Sequence, residues 1–242
     1  MKALHDHIAV VTGAGSGIGQ AMALALAAQG ATLCLVGRTP ATLQVTASRA
    51  AQGSMYCYPA DLRQDEAVQT LATQLQHDWH TIDILVHSAG VYAMGPLDTT
   101  PVATLDQQYQ TNVRAPYLLT QALLPLLRPR QGQVVFLNSS VGLTARGTVG
   151  AYAASKHALK AIADSLREEV NATGLRVLSV YLGRTASPMQ ATIHALEGKP
   201  YHPEDLLQPY DVAMVTLQAL LLPRTAEVTD ITIRPMRKPP QG

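Results

Sequence analysis

The chain has 242 residues with 18 basic and 17 acidic side chains, a formal net charge of +1; 47% of its residues are hydrophobic and only 14% charged. That balance suits a well-buried core and excludes a disordered chain, and with no dense Lys/Arg run it gives no electrostatic grip on nucleic acid. No segment approaches ~20 uninterrupted apolar residues, and His5-Asp6-His7 interrupts the N-terminus before any secretion-type apolar stretch forms, so a membrane partner is excluded and a cytoplasmic protein is expected.

An apolar run at 8–12 predicts the first strand, and Thr12-Gly13-Ala14-Gly15-Ser16-Gly17-Ile18-Gly19 follows it directly, opening a predicted helix over 18–29. Glycines in that context let backbone turn tightly and approach a pyrophosphate, whose charge meets the free N–H groups of the helix start. The second strand, 32–36, ends in Val36-Gly37-Arg38, where a dinucleotide site selective for NAD would place a carboxylate for the ribose hydroxyl. Between Gly19 and Asp61 there is no acid at all, whereas Arg38 offers a planar fork to a 2′-phosphate. NADP(H) is therefore expected over NAD(H). A third strand at 54–58 leads to Asp61-Leu62, where Asp61 either reaches the adenine or caps the predicted helix over 63–77.

The fourth strand is predicted at 82–87 and a long helix at 102–127, where Leu105, Tyr109, Leu119, Leu123 and Leu127 form an apolar stripe that suits core packing first and a subunit contact second. After a fifth strand at 133–138, a helix over 152–172 carries Tyr152 and Lys156 one turn apart on one face, thirteen residues beyond Ser139. An ammonium beside a phenol favours its ionised form, which would bring a group with a pKa of about 10 into use as a proton donor and acceptor near neutrality. Leu159, Ile162, Leu166 and Val170 supply that helix with a core stripe. A sixth strand at 176–181 precedes 184–209, the least regular stretch, which we expect to act as a mobile lid over the substrate. A helix at 210–221 and a strand at 228–233 complete an alternation of near-continuous apolar strands with helices. This is the pattern of a single α/β domain over 1–242, a doubly wound (Rossmann) parallel sheet covered on both faces. Cys34 and Cys57 read as buried small residues, and eight scattered histidines without His-Glu-x-x-His spacing predict no metal site.

The ordered set Thr-Gly-x-x-x-Gly-x-Gly at 12–19, Asn112 in Thr111-Asn112-Val113, Ser139, and Tyr-x-x-x-Lys at 152–156 resembles the short-chain dehydrogenase/reductase family over essentially the whole chain. The resemblance implies a seven-stranded parallel sheet in the order 3-2-1-4-5-6-7, a nicotinamide cofactor, a small carbonyl or alcohol substrate, and a homodimer or homotetramer. It implies that Tyr152 protonates the carbonyl oxygen, that Ser139 holds that oxygen, and that Lys156 lowers the phenol pKa and binds the nicotinamide ribose. Asn112 would hold a water linking Lys156 to solvent. The cofactor would lie along Gly13, Gly15, Ser16, Gly17, Ile18 and Gly19, then Arg38, Asp61 and Leu62, then Ser88, Ala89 and Gly90, and finally Gly183 and Thr185.

Three departures from the family pattern stand out: His87-Ser88-Ala89-Gly90 where Asn-Asn-Ala-Gly is common, Leu182-Gly183 where Pro-Gly is common, and the ending Val228 to Met236 in place of a glycine pair. Met94, Leu143, Met189 and Ile193 are candidates for an apolar substrate wall or equally for the core, and Arg146 or Arg184 for meeting an acidic substrate or simply for solvent. The leading expectation is an NADP(H)-dependent oxidoreductase interconverting a carbonyl and an alcohol. The alternative is a regulatory protein that senses NADP(H) on the same fold.

Overall fold

A computed structural model describes residues 2–51 and 53–237; of the domain read over 1–242, residues 1, 52 and 238–242 lie outside the described ones. Seven parallel strands form one sheet: β1 Ile8–Thr12, β2 Thr32–Gly37, β3 Met55–Pro59, β4 Ile84–His87, β5 Gln133–Ser139, β6 Arg176–Leu182 and β7 Asp230–Ile233. Their order is β3-β2-β1-β4-β5-β6-β7, as the resemblance implies. The chain winds outward from β1 to β3, then crosses back to pair β4 with β1, placing Ala9, Val10 and Val11 opposite Ile84, Leu85 and Val86. The connections after β1 and β4 therefore leave in opposite directions, and the crevice opens where they part.

Successive residues of a strand face opposite sides of a sheet, so strands buried on both faces must be apolar throughout. Ala9, Val11, Leu33, Leu35, Ile84 and Val86 enter one core with Met22 and Leu26 of α1 (Gly17–Ala28), Leu43 of α2 (Pro40–Arg49) and Val212 and Leu217 of α8 (Pro209–Leu220). Val10, Cys34, Val36 and Leu85 enter the other, under α3 (Asp65–Asp78), α5 (Ala115–Leu127) and α6 (Gly150–Val170). On α3 the contacts come from Val68, Leu71, Ala72 and Leu75, the spacing of one helical face. Each such leucine, fully buried, stabilises the fold by roughly 1.5–3 kcal/mol.

Several predicted elements change on inspection. The helix α2 is absent from the sequence reading because only Leu43 and Thr46 are buried on it, too few to show a period. The predicted helix over 102–127 is α4 (Val102–Tyr109), a wider π turn at Gln110–Arg114, and α5. The break coincides with Pro116, which has no N–H to give the carbonyl of Asn112 four residues earlier. It also splits the apolar stripe: Leu119, Leu123 and Leu127 are buried, while Leu105 and Tyr109 remain exposed. The stretch read as irregular, 184–209, contains α7 (Pro188–Leu196), started by Ser187, whose hydroxyl accepts the Gln190 N–H at 3.2 Å.

Candidate active site

The crevice is a cleft of about 560 Å³. Its nucleotide end is shaped by glycines that cannot be replaced. A Cβ on Gly19 would lie 2.3 Å from the Gly13 carbonyl oxygen, and one on Gly13, at φ +67°, would lie 2.9 Å from the Ala89 nitrogen. Thr12 locks the two loops together: its hydroxyl donates to the Val86 carbonyl at 3.3 Å and accepts the N–H groups of Ser88 and Ala89 at 3.0 and 3.1 Å. Ser16 makes no side-chain cap and the first turn of α1 holds no acid, so the N–H groups at this helix start are free to meet a pyrophosphate.

Where β2 ends, exposed Arg38 lines the cleft without an ion pair or side-chain hydrogen bond among the described residues, and no carboxylate stands beside Gly37. Asp61 is occupied. Its carboxylate takes a forked grip from Arg63, at 2.9 and 2.5 Å, which holds its pKa below the usual range. The capping alternative for Asp61 is corrected: α3 begins at Asp65 with Gln64 before it, and the Asp61 side chain binds Arg63 instead.

At the other end the cleft meets Ser139, Tyr152 and Lys156, brought together because β5 ends at Ser139 and the first turn of α6 packs across it. Lys156 is buried, its Nζ donating to the Leu137 carbonyl at 3.1 Å and standing 5.9 Å from the centre of the Tyr152 ring. Burial pulls its pKa down to about 8. The Tyr152 phenol is pushed up to about 12 by burial first, with a hydrogen bond from Ser139 lowering it and the neighbouring Tyr92 adding a smaller upward push. This differs from the expectation that Lys156 depresses the phenol: the ammonium is committed to a carbonyl. Tyr152 is only partly buried, and water in the cleft counters part of the upward push. The phenol is thus protonated at neutral pH. Tyr92 stands edge-on to it, ring centres 4.9 Å apart.

Asn112 does not line the cleft. On the π turn it is buried behind the Val91 backbone, accepting its N–H at 2.8 Å and donating to its carbonyl and to the Ser155 hydroxyl, each at 3.0 Å. The other predicted site residues, from Gly13 to Thr185, all border the cleft. Leu143 does not: it is exposed on the loop before α6, and of the four residues read as an apolar wall only Met94, Met189 and Ile193 stand at the cleft. Gly183 is close to Arg234 and Pro235, where a Cβ would approach within 3.1 Å of the Arg234 Cα, and the Thr185 hydroxyl donates back to the Gly183 carbonyl at 3.1 Å. The His87 departure is absorbed by packing: the ring stacks on Phe136 and its Nε2 pairs with the Thr120 hydroxyl at 2.8 Å.

The family model described as short chain dehydrogenase matches residues 7–198. The chain belongs to the short-chain dehydrogenase/reductase family. It is an oxidoreductase of that family. It is 34% identical to an uncharacterized oxidoreductase of Staphylococcus aureus strain MRSA252, across 98% of this chain and 100% of that one. A metagenomic short-chain oxidoreductase solved with NADP superposes with a TM-score of 0.84 at 29% identity, covering 98% of this chain and 100% of that one. A candidate short-chain dehydrogenase of Escherichia coli CFT073, solved with NADPH, gives 0.85 at 32% identity, covering 96% and 98%.

Sequence reasoning missed the side chains that brace the end of the cleft holding Ser139, Tyr152 and Lys156. Asn138 donates to the Lys156 carbonyl at 3.1 Å and accepts the Ser139 N–H at 2.7 Å, tying β5 to α6. Ser155 donates to the Tyr152 carbonyl at 2.7 Å while receiving Asn112. The available signal was polarity at the end of an otherwise apolar strand and inside a helix, where a buried polar group needs a partner.

Proposed function

We propose that the chain is an NADP(H)-dependent oxidoreductase that interconverts a ketone or aldehyde with its alcohol. The observation that carries this reading is one continuous cleft with a free Arg38 and no unpaired carboxylate at one end, and Ser139, Tyr152 and Lys156 at the other. The glycine cradle and the open helix start fit a dinucleotide. The NADP and NADPH bound to the two solved relatives support the same choice.

The Gly13–Gly19 loop would hold the pyrophosphate, Arg38 the 2′-phosphate, and Lys156 the nicotinamide ribose. When bound, NADPH supplies the hydride that the carbonyl carbon receives. The chain's own residues handle the oxygen. Ser139 donates a hydrogen bond to it, and Tyr152 hands over its proton as negative charge develops there, so that the product is a neutral alcohol. A phenol that is neutral at physiological pH is the form a proton donor requires. Lys156, with its pKa near the operating pH, is suited to restoring that proton, and Asn112 braces the backbone beside it. The segment 184–209 acts as the substrate lid of a single domain, and a homodimer or homotetramer is the expected assembly. Among the described residues no helix is long and apolar enough to cross a membrane.

The reading is tested by following NADPH and NADH oxidation by the purified protein across ketones, aldehydes, quinones and keto acids. Turnover with NADPH preferred supports it. Tight NADPH binding with no turnover on any of them would favour the sensing role.

A further inference from the structure

Seven charged side chains border the cleft, and each end follows the same scheme. At the nucleotide end Asp61 and Arg63 neutralise one another and Arg38 is left over. At the substrate end Arg184 grips both oxygens of Glu197, at 2.6 and 2.8 Å, and leaves Arg146 without an ion pair or side-chain hydrogen bond among the described residues. Lys156 lies buried beside Tyr152, its ammonium directed at a backbone carbonyl. Beyond the catalytic group, then, the substrate end retains one uncompensated positive charge, and it belongs to Arg146. Arg184, the other arginine that could meet an acidic substrate, is already neutralised.

The loop carrying Arg146 is exposed and anchored beyond it at Thr148. Two residues on, Thr148 has φ +63°, a left-handed conformation that a β-branched residue adopts only when its surroundings hold it there. What holds it is the neighbouring loop: the Thr148 carbonyl accepts the Gly95 N–H at 2.7 Å. That bond ties the Arg146 segment to the stretch carrying Tyr92 and Met94. Exposed Arg146 lines the same cleft as Val149, Ile193, Ser139 and Tyr152. A guanidinium fork matches a carboxylate through two parallel charge-assisted hydrogen bonds, a geometry that a neutral ester cannot reproduce.

We propose that the substrate is an anionic carbonyl compound: a keto or aldehyde acid whose carboxylate is held by Arg146 while its carbonyl, separated by an apolar segment, reaches Ser139 and Tyr152. The proposal rests on the oxidoreductase reading above. It deepens that reading by naming what the substrate carries at the end remote from the reacting carbon. Arg146 binds and orients, and takes no part in the proton transfer.

The test is NADPH-dependent reduction of matched pairs, levulinate against methyl levulinate and benzoylpropionate against its methyl ester, by the wild type, Arg146→Leu and Arg146→Lys. The wild type is expected to favour the acid by at least about tenfold in kcat/KM, a difference worth about 1.4 kcal/mol. Arg146→Leu should bring the ratio close to one through a raised KM for the acid, and Arg146→Lys should restore part of it. NADPH binding by each variant shows that the fold is intact. Equal use of acid and ester by the wild type, or an acid preference that survives Arg146→Leu, overturns the proposal while leaving the reductase reading in place. Failure to reduce any member of either pair, or any carbonyl of the wider panel, with NADPH bound defeats the reductase reading and the inference with it.

Discussion

At the nucleotide end of the cleft the contacts are made by backbone, with the Gly13 carbonyl so near α1 that Gly19 has no room for a methyl group. At the catalytic end they are made by side chains, in a buried network running from Asn112 through Ser155 to the Tyr152 carbonyl and from Asn138 to the Lys156 carbonyl. The first end is governed by shape and tolerates no added volume. The second is governed by pairing and fails when a partner is removed. Damage to the first should appear in cofactor affinity, and damage to the second in turnover or stability.

The contrast is broken most severely at Gly19. Gly19→Ala puts a methyl against rigid backbone, and we expect NADPH affinity, read by fluorescence titration, to fall by about 100-fold or more, equivalent to ~2.8 kcal/mol of lost backbone contact. Unchanged affinity would mean that the loop can move aside. Arg38→Ala tests the proposed side-chain contact to the 2′-phosphate. Loss of a charge-assisted contact worth about 1.5–3 kcal/mol should reduce the preference for NADPH over NADH by roughly 10- to 100-fold in kcat/KM. A preference that survives would move the 2′-phosphate elsewhere in the cleft, with Arg63 the next candidate.

At the catalytic end, Ser155→Ala removes a hydroxyl that touches no substrate and yet bonds both Asn112 and the Tyr152 backbone. Denaturant titration should show a loss of about 1–3 kcal/mol, because a buried amide loses one of its partners. A stability equal to wild type would remove Ser155 from the network. The smallest effect is expected at His87. Burial drives its pKa from 6.5 to about 3, so the folded protein keeps the ring neutral where the unfolded chain would protonate it. The stability tied to that neutral ring is complete above pH 6.5 and is lost as pH falls toward 3. His87→Asn should therefore flatten the decline of the urea midpoint between neutral and mildly acid pH, and a slope identical to wild type would contradict a neutral buried ring.

The same contrast explains what the sequence revealed. Gly13, Gly17 and Gly19 were legible because a backbone requirement leaves only one residue type, and the missing acid before Asp61 was legible because charge is sparse there. The sheet followed from apolar strands buried on two faces. Asn138 and Ser155 were not legible, since their partners lie 18 and 43 residues away, or are backbone carbonyls with no sequence signature. The partners of Asp61 and Arg184 were not legible for a related reason: both are charged residues at the cleft, and only the fold shows that Arg63 and Glu197 pair with them. The π turn was foreshadowed by Pro116, whose missing donor lies four residues beyond Asn112, but a proline near a helix start is ordinarily benign.

Tyr152→Phe divides the cofactor binding and proton delivery proposed for the two ends of the cleft. Removing one hydroxyl leaves every backbone contact of the nucleotide end intact. NADPH affinity should stay within about twofold of wild type while kcat for a reducible carbonyl falls by about 100-fold or more, the scale of a lost general acid. Turnover that persists in Tyr152→Phe at a comparable rate would contradict the account and place the proton donor elsewhere.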